Sequence, residues 1–202
     1  MRRSVSLPAP RAVIFDLDGT LTEPVLDFDA MRAEIGLPEG VPILEHIDVL
    51  AAAARERAEA VLLRHERAAI AAATLADGCA DLLGHLRDRE IPISILTRNV
   101  HEVVETFARM FTFQFHAVYT REDGPPKPSP AGALSLCRAM GVDPAHTLAV
   151  GDYKYDVLAG RDAGCRTVLV DRDGLAQHEL VEWGSPDLVI KSLRELLPLF
   201  GR

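Results

Sequence analysis

Hydrophobic residues along this chain change their grouping twice. Ala12-Val13-Ile14-Phe15 is an unbroken apolar run, long enough for one buried strand, and it stops abruptly at Asp16-Leu17-Asp18-Gly19-Thr20-Leu21-Thr22. Beyond Thr22 the segments 27–35 and 43–73 hold few β-branched residues and much Ala, Glu and Arg, a composition that favours helix. Asp27 or Asp29 suits the cap of the first helix and Gly36 with Pro38 its end, while Gly40 and Pro42 separate it from the Ala-rich stretch, which has room for a further break. No strand signal interrupts 23–74, which therefore reads as a helical insertion closed by Asp77-Gly78. From Cys79 onward helical and strand patterns alternate. Helices are expected over about 79–89, 101–110, 130–140, 156–163 and 192–197, the last stopped by Pro198. Strands are expected over 92–96, 117–119, 147–150, 166–170 and 188–190. Strands separated by helices of this length imply right-handed βαβ units. The expected fold class is α/β, a doubly wound parallel-sheet (Rossmann-like) core formed by 1–22 and 75–202, with a small all-helical unit, 23–74, inserted after the first strand.

Composition narrows the function classes. The chain has 202 residues, 48% of them hydrophobic, which suits one core with a modest insertion. A formal charge of −8 disfavours non-specific binding to nucleic acid or acidic lipid. The start, Met1-Arg2-Arg3-Ser4-Val5, has no apolar stretch of signal-peptide length before Pro8 and Pro10, and no segment approaches membrane-spanning length. Cys79, Cys137 and Cys165 are an odd set without paired spacing and read as reduced, buried thiols. The expectation is a cytoplasmic protein, monomer or homodimer, with no nucleic-acid or membrane partner.

Ligands of such sheets bind beyond the carboxyl ends of the strands, and the polar clusters fall there. Asp16 and Asp18, two apart at a strand end, start from a shared side. Carboxylates so close repel unless a cation stands between them or one holds a proton, and a hard divalent ion such as Mg²⁺ suits them. A carboxylate beside such an ion is also a usable nucleophile. Thr97-Arg98-Asn99 follows the strand 92–96 and opens a helix, where a hydroxyl and free amides suit a phosphoryl group. Lys127 is held between prolines in Gly124-Pro125-Pro126-Lys127-Pro128-Ser129-Pro130. Gly151-Asp152-Tyr153-Lys154-Tyr155-Asp156 places two carboxylates four apart at a helix start. Taken singly, a solvated turn, helix caps and an exposed lysine are the simpler readings.

Taken together and in this order, the four clusters resemble the motifs of the haloacid dehalogenase (HAD) superfamily. Its first motif, Asp-x-Asp-x-Thr after a hydrophobic strand, is matched by Asp16, Asp18 and Thr20. Its second, Ser or Thr at a strand end, is matched by Thr97. Lys127-Pro128-Ser129-Pro130 resembles the third motif of the phosphoglycolate-phosphatase-like branch, and Gly151, Asp152 and Asp156 match Gly-Asp-x-x-x-Asp, the fourth. The resemblance covers 12–22 and 76–200. Many relatives have Ser or Thr after the fourth-motif Asp, where this chain has Tyr153.

The resemblance implies a Mg²⁺-dependent phosphomonoester hydrolase acting on a small phosphorylated metabolite. Asp16 is then the nucleophile and Asp18 the general acid and base, with Thr97 and Lys127 completing the catalytic set. Gly19, Thr97, Arg98, Asn99 and Lys127 are the implied phosphate-binding positions. The implied metal ligands are the Asp16 and Asp152 carboxylates and the Asp18 backbone carbonyl, with Asp156 acting directly or through water. An Asp at position 18 argues against the dehalogenase branch itself. The insertion falls where the family carries C1 caps, which shape substrate choice, and it is shorter than the caps usual in phosphoglycolate phosphatases and β-phosphoglucomutases. Arg32, and more weakly Arg55, Arg57 and His46, are candidate cap contacts beside the simpler reading of a solvated helix face. The absence of lysine between 23 and 78 argues against phosphonoacetaldehyde-hydrolase-like chemistry. A phosphomutase of the β-phosphoglucomutase type and a non-catalytic interaction module remain as alternatives.

Overall fold

The computed structural model describes residues 9–201. The start of the chain, with Arg2 and Arg3, lies outside the described residues. The chain divides into two compact units, Pro24–Ala73 and the segments on either side of it. No helix among the described residues is long and apolar enough to cross a membrane.

Within Pro24–Ala73, α1 (Phe28–Ile35) begins where the Asp27 carboxylate accepts the Ala30 amide at 2.9 Å, and it ends at Gly36 with φ of 85°. That is the left-handed conformation in which glycine stops helices most readily. The Ala-rich stretch is two helices, α2 (Ile43–Asp48) and α3 (Ala52–Ala71). Arg55 holds the break between them: its Nε donates to the Ile47 carbonyl at 3.2 Å and Nη2 to the Asp48 side chain at 2.7 Å. Met31, Leu37, Ile43, Ile47, Ala58 and Leu62 form the core of this unit.

The larger unit is built on a six-stranded sheet of β1 (Ala12–Phe15), β2 (Ile93–Leu96), β3 (Ala117–Tyr119), β4 (Thr147–Gly151), β5 (Arg166–Val170) and β6 (Leu188–Ile190). The order is β3-β2-β1-β4-β5-β6 and every neighbouring pair is parallel. β1 and β2 are buried along their whole length, as strands covered on both faces must be. Alternation of side chains splits them between two cores. Ala12, Ile14, Leu96 and Ala149 pack with Ala133, Leu136 and Met140 of α6 (Ala131–Met140). Val13, Phe15 and Ile95 are buried on the opposite side, as are Leu82 and Leu86 of α4 (Cys79–Asp88). α5 (His101–Phe111) links β2 to β3, and α7 (Lys154–Asp162) links β4 to β5. An antiparallel bridge between Thr22 and Leu75 closes the base of the insertion, flanked by Glu23 N to Thr74 O at 3.0 Å. The three cysteines are free and buried.

Three local expectations need correction. α7 starts at Lys154 rather than Asp156, because the Asp156 carboxylate reaches back to accept the Tyr153 amide at 3.0 Å. A carboxylate at the third helical position commonly closes the first turn in this way. Pro198 does not stop the last helix but lies inside a 3₁₀ run, Leu193–Phe200, whose φ a proline already satisfies. A further helix, α8 (Gln177–Glu182), contains no fully buried residue, so no apolar period marked it in the sequence.

Candidate active site

Sheet order reverses at β1, which pairs with β2 on one side and β4 on the other. The crevice expected at such a switch point therefore lies beyond Phe15. Asp16 stays in the ladder, its amide donating to the Val150 carbonyl at 2.9 Å. The chain then coils: the amides of Thr20, Leu21 and Thr22 all point at the Leu17 carbonyl, at 3.3, 2.9 and 3.1 Å. Gly19 makes this turn possible, with φ of +74° and an α-carbon so close to Asp152 that a Cβ would lie 2.1 Å from its Oδ2. Thr20 Oγ1 donates to Asp152 Oδ1 at 3.1 Å, binding the β1 exit to the β4 exit.

The two aspartates of the first motif are held by different partners. Lys127 Nζ, 4% exposed, donates to Asp16 Oδ1 and to Asp156 Oδ1, each at 2.5 Å. Asp18 Oδ2 instead accepts the Asn99 side-chain amide. Asn99 is aligned by Thr97, whose Oγ1 accepts its backbone amide at 3.1 Å and Nδ2 at 3.2 Å. The Thr97 amide donates to the Tyr119 carbonyl at 3.0 Å, so Thr97 prolongs the sheet beyond β2. Arg98 reaches the third and fourth clusters: Nη1 donates to the Lys127 carbonyl at 3.1 Å and the guanidinium lies 4.8 Å from the Tyr155 ring centroid. Asp16, Asp152 and Asp156 each offer a carboxylate oxygen within 4.8 Å of the others.

The profile of the haloacid dehalogenase-like hydrolases matches residues 10–164, which contain all four clusters. The chain belongs to this family. A haloacid dehalogenase-like hydrolase domain-containing protein of Arabidopsis thaliana is 35% identical, the alignment covering 92% of this chain and 82% of that one. A phosphoglycolate phosphatase of Chromobacterium violaceum is 30% identical over 94% and 96% of the two chains. Among solved structures, a hydrolase from Pseudomonas syringae has the same fold with a TM-score of 0.78 at 21% identity, covering 93% and 96%.

In this HAD-like hydrolase the acids outweigh the one buried lysine among them. Burial pushes Asp16 well above the usual carboxylate range; Lys127 opposes this, and the charges of Asp156 and Asp152 add to it. Burial, reinforced by Asp156, pushes Asp152 up to about 7 against the pull of Lys127 and Thr20. Burial raises Asp18 too, opposed by the Asn99 hydrogen bond. Burial alone would lower Lys127, but Asp156 and Asp16 hold it above its ordinary value, so it stays charged. Three clustered hard oxygen donors, with Asp16 and Asp152 held above the usual carboxylate range, suit a divalent cation. Asp156 is the donor already spent, with one oxygen on Lys127 and the other on the Tyr153 amide. The Asp18 carboxylate is not among the three.

Every site candidate named from the sequence except Arg32, Arg55, Arg57 and His46 belongs to the larger unit. Arg32 lies in Pro24–Ala73, where Nε donates to the Val41 carbonyl at 3.1 Å and Nη1 to Asp29 at 2.5 Å. Arg55 is committed to the α2–α3 break, Arg57 is exposed and His46 is half-buried. One residue at the site was not read from the sequence: Arg172, after β5, donates from Nη1 to the Gly19 carbonyl. Asp171-Arg172-Asp173-Gly174 reads as an ordinary polar turn, and its place at a strand end is the only signal it carries.

Proposed function

We propose that this HAD-like hydrolase is a Mg²⁺-dependent phosphomonoesterase acting on a small phosphorylated metabolite through an aspartyl phosphate on Asp16. The observation that carries the reading is the unequal treatment of two neighbouring carboxylates. Asp16 is pinned through one oxygen by a charged ammonium, leaving the other to attack, whereas Asp18 is held by a neutral amide and kept protonatable by burial. That is the division of labour between a nucleophile and a general acid.

In the first displacement an Asp16 oxygen attacks phosphorus and the ester P–O bond breaks. Asp18 gives its proton to the departing oxygen. In the second, the Asp18 carboxylate takes a proton from water, the resulting hydroxide attacks phosphorus, and the P–O bond to Asp16 breaks, releasing inorganic phosphate. Lys127 neutralises charge on the transferring group, and Thr97, whose oxygen accepts from Asn99, still has its hydroxyl proton to donate. Gly19, Arg98 and Asn99 complete the phosphate-binding set. Asp16, Asp152 and the Asp18 carbonyl would hold Mg²⁺, with Asp156 steadying Lys127 and the β4–α7 turn. The ion, when bound, offsets repulsion between the carboxylates and the phosphate dianion.

Relatives support this reading: proteins named phosphoglycolate phosphatase and N-acetylmuramic acid 6-phosphate phosphatase align over more than 90% of this chain. Their names differ in substrate, so the class carried over is a small phosphate ester. Pro24–Ala73 takes the part of a C1-type cap that selects among such esters. A substrate role for Arg32 requires it to leave Val41 or Asp29, and unchanged kcat/KM in Arg32→Ala would remove that role.

The deciding experiment is release of inorganic phosphate from a panel of sugar phosphates, phosphoglycolate and nucleoside monophosphates. Release is expected with Mg²⁺, and EDTA or Asp16→Asn is expected to lower it by about 10³-fold or more. No release from any ester by folded, Mg²⁺-loaded protein would overturn the reading, and isomerisation of a hexose 1-phosphate without release would replace it with a mutase.

A further inference from the structure

Arg172 follows β5, which is separated from β1 by β4, yet its side chain reaches the loop that carries Asp18. There it meets a peptide already confined from another side. The Gly19 α-carbon faces Asp152 with no room for a side chain, and the Gly19 carbonyl oxygen accepts the hydrogen bond of the Arg172 guanidinium. Within the turn, the amides of Thr20, Leu21 and Thr22 are spent on Leu17, so the loop's own bonds leave Gly19 to Arg172. Of the two acids that flank Arg172, Asp171 gives both its oxygens to the amides of Gly174 and Leu175, at 2.8 and 2.7 Å, and Asp173 is exposed. The guanidinium is thus directed at the loop rather than at its neighbour. A hydrogen bond from a charged donor is also stronger than the neutral kind that closes the rest of the turn.

Asp18 stands immediately before this clamped peptide, and its carboxylate is fixed at the far end by Asn99. Asn99 settles where the carboxyl group points, while the held Gly19 carbonyl, on the peptide to Thr20, restrains the backbone that follows Asp18. We infer that Arg172 is a positioning residue for proton transfer, holding the Asp18–Gly19 backbone so that the Asp18 carboxyl meets the leaving oxygen as its P–O bond breaks. The inference rests on the assignment of Asp18 as general acid. Arg172 itself touches neither the phosphoryl group nor the leaving oxygen in this scheme.

A residue acting through the general acid has a signature that a structural brace lacks. Protonation matters for an alkoxide leaving group and hardly at all for p-nitrophenolate, which departs unassisted. The test is kcat/KM on p-nitrophenyl phosphate and on the best alkyl phosphate ester, for wild type, Arg172→Met, Arg172→Lys and Asp18→Asn, all with saturating Mg²⁺. General acids typically contribute about 10²–10⁴-fold, so mispositioning in Arg172→Met is expected to lower the alkyl ester about 10–100-fold and p-nitrophenyl phosphate less than about 3-fold. Arg172→Lys, which keeps a cationic donor, is expected to recover most of the loss. Asp18→Asn is expected to show the same split more deeply. Equal losses on both esters in Arg172→Met, or no loss on either, would overturn the inference. If Asp18→Asn shows the split and Arg172→Met does not, Arg172 alone is removed and the proposed function stands. If Asp18→Asn shows no split, the assignment of Asp18 fails and the inference with it. Should Arg172→Met not fold, the shorter, uncharged Arg172→Gln carries the same test with the same outcomes.

Discussion

Lys127 shows how much a single residue's surroundings decide. In the sequence it is a loop lysine between prolines; in the fold it is buried, with Asp16 and Asp156 both at 2.5 Å. Removing one partner of a buried charged set costs more than the pair contributed, because the remaining charges stay out of water. Lys127→Met is therefore expected to lower the stability of metal-free protein by about 3–5 kcal/mol. It is also expected to lower kcat/KM by about 10²–10³-fold, as loss of a fixed charge at the transferring group does. Denaturant titration with EDTA and steady-state kinetics with Mg²⁺ check the two, and a mutant as stable and active as wild type would show that the lysine is ornamental. At this scale Asp16 and Asp152 were legible because each stands where an apolar run ends, and Asp156 because it follows Asp152 by four at a helix start; the three do converge. Arg172 was not, since nothing local distinguishes an arginine that reaches Gly19 from one in solvent.

The elements show why small residues sit at the turns. Gly151 ends β4 against α7, where a Cβ would lie 2.1 Å from Asp156 Cγ. Gly151→Ala must push Asp156 off both Lys127 and the Tyr153 amide. The expected cost is about 1–3 kcal/mol, as for other overpacked sites, together with reduced kcat, read by thermal unfolding and kinetics on the same preparation. In the insertion, α1 and α3 are joined by Glu34, which accepts from Arg64 and, at 2.9 Å, from His65. These hydrogen bonds, that of His65 foremost, hold the Glu34 carboxyl below its usual range. Its contribution is therefore full above the ordinary glutamate pKa and is lost as pH falls through the lowered folded value. Hydrogen-exchange protection of α1, taken relative to the intrinsic exchange rate at each pH, is expected to fall at acid pH more in wild type than in Glu34→Gln, and to do so less in high salt because the group is exposed. Equal acid sensitivity in the two proteins would end that account. The α2–α3 break was legible only as room for one, because what holds it is a side chain from the following helix.

For the molecule as a whole, the unbalanced acids at the switch point would make a bound Mg²⁺ a stability variable. A ligand at a hundred times its Kd stabilises by about 2.7 kcal/mol, which for a chain of this size is about 5–10 °C in Tm. Mg²⁺ is expected to raise Tm by that order over EDTA-treated protein, and Asp152→Asn to abolish most of the shift. A Tm indifferent to Mg²⁺ in wild type would remove the ion from the site. By itself the sequence determined the α/β class, the strands of the core and the acids at their ends. Burial on both faces imposes unbroken apolar runs, and a parallel sheet collects its polar residues where those runs stop. What only the tertiary structure decided is which partner each charge has. Asp16 with Lys127, Asp18 with Asn99 and Gly19 with Arg172 are separated by 111, 81 and 153 positions in the chain. Such pairings depend on strand order and on the path of each exit loop, which no local pattern of residues encodes.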